Sequence, residues 1–297
     1  EYATTFWLEG STSPRPRLFA LPAGEIDLDG TRRLAWPDLA MNRRDRIALT
    51  GANGLGKSTL IRHLLTRLDL PAQRLVYLPQ EIDLAQTRDI MRQVQQLPGD
   101  QLGQVMTAVS ALGSRPERLL RNLEASPGEL RKVLLALGVA RRPHLIVMDE
   151  PTNHLDLPAR NWLEEYLADY PGSVVLVSHD RYFLDATVKR ITEVGLKTLT
   201  DYHGNYSHYA VEHTARMERL REAHRRQSED IEKAEVFINR FRYTATKARQ
   251  VQSRIKLLDK VERIEIPPER KKIRFKFPEA PRPGRVVLET KGVRKAY

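Results

Sequence analysis

The apolar residues of this chain follow two rhythms. Up to about Thr200 they form short runs separated by helix-like stretches. Arg46–Thr50, Leu75–Leu78, Leu145–Met148 and Val174–Ser178 have the length of strands, and their apolar cores lack the alternation of a half-exposed strand. That is the pattern of strands covered on both faces. Ser58–Leu68 has helical spacing, with Leu60, Ile61, Leu64, Leu65 and Leu68 on one face. Between Ile90 and Asn122 the pattern is helical and more polar, which predicts a helical insert. Strands alternating with helices predict an α/β domain built on a mainly parallel sheet.

From about Tyr209 to Ile264 the rhythm changes. Met217, Leu220, His224, Gln227, Ile231, Ala234, Ile238 and Phe241 follow steps of three and four, a heptad seam with two polar interruptions. Thr244–Thr246 breaks the seam, and Ala248, Val251, Ile255 and Leu258 resume it. Two helices joined at a short tip predict an antiparallel hairpin. It buries too little for a core of its own, so it is expected to project. Pro267 and Pro268 are expected to end the second helix, because proline lacks the N–H and blocks the turn. Arg270–Phe277 reads as a basic strand, Pro278–Gly284 as a linker and Val286–Tyr297 as the start of another strand. The expected domains are 1–200, 201–280 and 281–297.

Composition narrows the class. The 297 residues suit about two domains. No run approaches the roughly 20 apolar residues of a membrane span. The start, Glu1-Tyr2-Ala3, has neither a secretory pattern nor an initiating Met, as expected of a fragment. There are no cysteines, which excludes disulfides and thiolate metal sites and fits a reducing cytoplasm. The formal net charge of +11 points to a polyanionic partner, nucleic acid or an anionic surface, if it is clustered.

Gly51-Ala-Asn53-Gly54-Leu-Gly56-Lys57-Ser58 matches G-x-x-x-x-G-K-[ST] after an expected strand and before an expected helix. The glycines let the backbone turn its N–H groups toward phosphates, and the helix N-terminus favours the same anion. Lys57 is expected on the β- and γ-phosphates of ATP, and Ser58 on Mg²⁺. Leu145–Met148 delivers Asp149 and Glu150 at a strand end. Asp149 suits Mg²⁺, and Glu150 suits the general base that polarises the attacking water. His179 follows another strand and can reach the γ-phosphate or that water. Gln80 ends a third strand and can reach Mg²⁺ or water.

Gly51–Ser58, Gln80, Ser126–Glu129, Leu145–Glu150, Pro151–Asp156 and Val177–Arg181 occur in the order of an ATP-binding cassette domain. Asp149–Asp156 together with Ser178–Leu184 resembles the F subfamily, ABC-F. The resemblance covers nearly the whole chain. It implies an ATPase, slow and stimulated by its partners, in a soluble cytoplasmic protein with two cassettes and a helical linker. Members act on ribosomes as translation factors or in antibiotic resistance. The resemblance adds Asn53 and Thr59 to the nucleotide contacts. It makes Ser126 and Gly128 the signature loop facing ATP on an opposing cassette, and Asp156 part of the loop that couples the two sites. It makes Tyr209–Ile264 the linker that reaches toward transfer RNA or ribosomal RNA. The opposing cassette would be supplied in cis or by self-association.

Three departures stand out. Pro127 replaces a glycine of the signature and has no N–H to donate. Leu28 stands where an aromatic is expected to stack on adenine. The degenerate signature precedes the linker, and a second cassette stops after its first strand. That order is expected of a fragment, a spliced chain or a divergent member.

Arg240, Arg242, Lys247, Arg249, Arg254 and Lys256 surround the hairpin turn, and no acid lies between Asn239 and Lys256. Phe241 and Tyr243 are interleaved with them. A basic tip on an arm suits contacts to a phosphate backbone; the other reading is a solvated coiled-coil end. Arg270, Lys271, Lys272, Arg274 and Lys276 form a second basic patch. Three rival readings remain: the ATPase subunit of a membrane transporter, a DNA-associated cassette ATPase, and a switch that holds ATP with little turnover.

Overall fold

Two antiparallel pairs precede the first expected strand. They are β1 (Arg17–Leu21) with β4 (Leu39–Asn42), and β2 (Gly24–Asp27) with β3 (Arg33–Trp36). The expected strands follow as β5 (Arg46–Thr50), β6 (Leu75–Leu78), β7 (Leu145–Asp149) and β8 (Ser173–Val177). Two further strands, β9 (Arg190–Val194) and β10 (Leu199–His203), complete a six-stranded sheet in the order β10-β9-β5-β8-β7-β6. Pairing is parallel from β9 through β6, and β10 is antiparallel to β9. The computed structural model describes residues 11–30, 32–116, 119, 126–153, 155–195, 198–266 and 289–294.

Burial explains the unbroken apolar runs. In β7, Ile146 and Met148 face one core while Leu145 and Val147 face the other. The first core is closed by α4 (Pro127–Ala140), α5 (Leu157–Asp169) and α6 (Arg181–Thr187). The second is closed by α1 (Lys57–Leu65), with Leu18 and Met41 from the β1–β4 pair. α1 is shorter than its apolar stripe: Thr66 caps it, and Leu68 and Leu70 pack against the same core from outside the helix. The helical insert consists of α2 (Leu84–Gln95) and α3 (Gly99–Ala111), which bury Ile90, Val94, Val105 and Val109 against Val133 and Leu137 of α4.

The chain divides into two compact units, residues 1–266 and 267–297. β10 runs across the expected boundary at residue 200, because its pairing with β9 makes it an edge strand of the sheet. The hairpin begins with α7 (Tyr206–Phe241), whose 36 residues extend about 54 Å at 1.5 Å per residue. Each expected seam position in α7, from Met217 to Phe241, is half-buried, whereas the residues between them are mostly exposed. After a 3₁₀ turn at Ala245–Lys247 comes α8 (Ala248–Leu258), in which Val251 is buried. Ala248 and Ile255 are exposed, so the second arm keeps only part of its expected seam.

α8 also ends well before Pro267, which corrects the expectation that the prolines stop it. Residues 261–266 are irregular. The Gln227 side chain holds them there: its Nε2 donates to the Glu262 carbonyl at 2.8 Å and its Oε1 accepts from the Ile264 N–H at 2.9 Å. A side-chain amide that takes both backbone groups removes them from a helical ladder.

In the second unit, the expected basic strand at Arg270–Phe277 and the linker at Pro278–Gly284 lie outside the described residues. Of the strand expected from Val286, residues 289–294 are described and are irregular, with a 2.7 Å ion pair between Lys291 and Glu289. Among the described residues, no helix is long and apolar enough to cross a membrane.

Candidate functional site

Four loops leave the carboxyl ends of neighbouring parallel strands. β5 leads into Gly51–Ser58, β8 into His179, β7 into Asp149-Glu150 and β6 into Gln80. Open α/β sheets bind ligands at this edge. The crossover connections bring residues far apart in sequence to one side of the sheet.

The glycine loop is backbone-limited. Gly51, Gly54 and Gly56 have φ of 136°, 79° and 88°. A Cβ on Gly51 would lie 2.5 Å from the Val194 carbonyl oxygen. Gly56 caps α1 with no side-chain acceptor for the first-turn N–H groups. Such N–H groups suit an anion. Lys57 donates from Nζ to the carbonyls of Gly51 at 2.9 Å and Ala52 at 3.0 Å, so its ammonium lies over the loop. Ser58 and Thr59 are half-buried on the first turn, while Asn53 and Gly54 are exposed.

Asp149 is 2% and Glu150 7% exposed. Glu150 has φ 52°, a left-handed conformation that costs a non-glycine residue about 1–3 kcal/mol when imposed. Its N–H donates to the Val177 carbonyl at 2.8 Å. His179 Nε2 lies 3.3 Å from Glu150 Oε1. Burial pushes the Glu150 carboxyl above the usual carboxylate range; His179 opposes the rise, Asp149 adds to it, and Lys57 opposes it. Among the described residues there is no cluster of three or more His, Asp or Glu side chains able to hold a metal. The Asp149 carboxylate at the end of β7 and the Ser58 hydroxyl on the first turn of α1 are oxygen donors that a Mg²⁺ here would use. That fits the preference of Mg²⁺ for one or two carboxylates plus phosphate and water oxygens.

Ser126 and Gly128 belong to another element, the start of α4. Ser126 Oγ accepts from the Glu129 N–H at 3.3 Å, and Glu129 Oε2 accepts from the Ser126 N–H at 2.9 Å, a capping box. Pro127 occupies the first helical position, where an N–H has no intrahelical partner in any residue. Asp156 caps α5 through the Ala159 N–H at 3.1 Å and pairs with Lys132 Nζ at 3.0 Å.

Sequence reasoning missed three cations. Arg32, in the β2–β3 turn, donates to the Gly54 carbonyl at 3.0 Å. The same turn places Leu28 against Gly56, where an added Cβ would lie 2.5 Å from Leu28 Cδ2. Arg131 and Lys132 are buried in α4. Two adjacent charges inside the apolar run Leu130–Val139 were a visible signal, since buried charges are paired.

The tip cations lie elsewhere, on and between α7 and α8. The Arg254 guanidinium stacks 3.9 Å from the Phe237 ring centroid, and Arg240 lies 5.5 Å from that of Phe241. Arg242, Arg249 and Lys256 are exposed, Lys247 is half-buried, and Tyr243 is 94% exposed. The base of α7 is tied to the sheet. Glu193 receives the Tyr202 hydroxyl at 3.1 Å, the Tyr209 hydroxyl at 3.3 Å and His213 Nε2 at 3.0 Å.

Two family profiles, both described as ABC transporter, match residues 37–153 and 192–277. The protein named "Probable ATP-binding protein YheS" of Escherichia coli K12 is 42% identical over 154 residues, 52% of this chain and 24% of that protein. "ATP-binding cassette sub-family F member 3" of Homo sapiens is 29% identical over 290 residues, 83% of this chain and 41% of that protein. The chain thus spans less than half the length of either relative. A solved structure described as "Model of ribosome-bound archaeal Pelota and ABCE1" superposes with a TM-score of 0.50 at 18% identity, covering 64% of this chain and 35% of that one, a likeness of fold. With the glycine loop, the Asp-Glu strand end and a matched extension running through the hairpin, the chain belongs to the ATP-binding cassette proteins of the F subfamily.

Proposed function

We propose that this chain binds ATP on the Gly51–Thr59 loop, hydrolyses it with Glu150 as general base, and uses the cycle to drive the basic hairpin tip against ribosomal or transfer RNA. The observation that carries the hydrolytic part is the buried Glu150 at 3.3 Å from His179, on the strand edge shared with the glycine loop. Burial raises the basicity of that carboxylate, which suits proton abstraction near neutral pH. Lys57 and the first-turn N–H groups of α1 hold the phosphates. Asp149, Ser58 and Gln80 hold Mg²⁺, which supplies neutralisation of phosphate charge when bound. His179 orients the Glu150 carboxylate and lies beside the water it activates. Ser126 and Gly128 face ATP held by an opposing cassette, with Asp156 at the junction of the two sites. The family supports the ribosomal reading, together with the concentration of cations at Arg240, Arg242, Lys247, Arg249, Arg254 and Lys256.

The test is co-sedimentation of Glu150→Gln with ribosomes, with ATP and without nucleotide, beside a chain in which Arg240, Arg242, Lys247 and Arg249 are neutralised. Loss of a general base lowers turnover on the order of 100-fold or more, so Glu150→Gln should stay in the ATP-bound form and pellet only with ATP. The tip variant should lose that pelleting. Parental turnover in Glu150→Gln would remove Glu150 from its role. Binding to duplex DNA in preference to ribosomes would replace the ribosomal reading with a DNA-associated one.

A further inference from the structure

α4 is an apolar helix with two adjacent charges turned inward: Arg131 is 2% and Lys132 6% exposed. Buried cations need partners, and those of Arg131 are all backbone carbonyls. One guanidinium nitrogen, Nη1, donates to Glu150 O at 2.9 Å and Asn153 O at 3.0 Å. The other, Nη2, donates to Pro79 O at 3.0 Å and to Gln80 O in a short contact. These carbonyls belong to two separate loops, one after β6 and one after β7. The carboxylates of Asp149, Glu150 and Glu81 also favour the charged form of the same guanidinium. Next along the helix, Lys132 reaches Asp156.

We propose that Arg131 is a positioning residue that locks the Gln80 and Glu150 loops into one unit carried by α4, and that Lys132 extends the unit to Asp156. Three features support this. A planar fork with five donors spans four carbonyls, whereas a lysine ammonium has three donors and no fixed plane. Glu150 sits in a left-handed backbone conformation that persists only when its surroundings hold it, and Arg131 holds its carbonyl. α4 also begins at Ser126, the residue expected to face an opposing cassette. A shift of that helix end on engagement is therefore transmitted through Arg131 to this chain's own Gln80 and Glu150. The effect on turnover rests on the ATPase reading; the effect on the loops does not.

Arg131→Lys in the full chain tests it, with three readouts. Affinity for a fluorescent ATP analogue with Mg²⁺ should stay within about threefold of the parent, and turnover should fall on the order of 100-fold, the cost of a displaced catalytic geometry. Amide hydrogen exchange should quicken together at residues 80–83 and 150–153, and stay unchanged at 51–59. Parental turnover and exchange would overturn the proposal. So would a uniform rise in exchange with a lowered melting temperature, which marks a merely structural cation. If the parent itself does not hydrolyse ATP, the ATPase reading fails, and the paired exchange rise still decides the role of Arg131. Lys132→Gln gives the independent check. It should quicken exchange at 155–159 and leave 80–83 as in the parent; loosening of both would show that the two anchors are not separate.

Discussion

Glu150 combines several unfavourable features at a single position. Its carboxyl is buried beside Asp149, its backbone is left-handed, and the imidazole beside it, His179, is exposed. The native state raises its pKa above the unfolded value. Between those two values the native state binds more protons than the unfolded chain, so stability falls as pH rises through that window, and the loss is complete above it. Glu150→Gln removes the loss. It should melt above the parent at pH 7, with the gap narrowing as pH falls toward about 4.3, the ordinary glutamate value. Thermal melts of both chains across pH 4–8 would read this. A gap that is constant with pH would mean that the Glu150 charge is not penalised by burial. The sequence identified Asp149 and Glu150 because an apolar run ending in two acids downstream of a glycine loop is readable in one dimension. The left-handed turn at Glu150 was not readable, since nothing local favours it over an extended residue. Its fixing contacts come from Val177 and Arg131.

Elements show the same division. Gly138 and Gly103 are both glycines inside helices, and a propensity argument favours alanine at each by about 1 kcal/mol. The tertiary surroundings separate them. A Cβ at Gly138 would lie 2.5 Å from Val76 Cγ2, where α4 crosses β6, whereas nothing lies within 4 Å of one at Gly103 in α3. Gly138→Ala should therefore destabilise by about 1–3 kcal/mol, the usual cost of overpacking. Gly103→Ala should stabilise by about 0.5–1 kcal/mol. Urea titration of the two variants checks the opposite signs. The hairpin shows where periodicity stops being informative. The α7 seam is half-buried at each expected position, because three- and four-residue steps place those side chains on one face regardless of the partner. The end of α8 differs from expectation, because Gln227, more than thirty residues upstream, takes the backbone groups that would continue the helix.

At the scale of the molecule, the +11 charge has its electrostatic consequence where it clusters. Neutralising Arg240, Arg242, Lys247 and Arg249 should weaken binding to a single-stranded RNA probe. It should also flatten the dependence of log affinity on log salt by roughly 0.7 for each phosphate that the protein no longer neutralises. Fluorescence anisotropy at several salt concentrations measures both. An unchanged slope would place the RNA-binding surface elsewhere. Arg254 and Arg240 should contribute less than Arg242 and Arg249, because the first two stack on Phe237 and Phe241.

The sequence by itself determined the parallel strands, the glycine loop, the Asp149-Glu150 strand end and the α7 seam. Each of these is a local pattern whose physical cause lies within a few residues: strand burial, positive φ at glycine, helical periodicity. The tertiary structure alone decided the β1–β4 pairs, the β9–β10 edge, the early end of α8, and the anchoring of two loops and Asp156 on Arg131 and Lys132. Those features depend on groups brought together by strand crossovers. A hydrogen bond between a helix and a carbonyl 51 or 52 residues away leaves no period or motif along the chain.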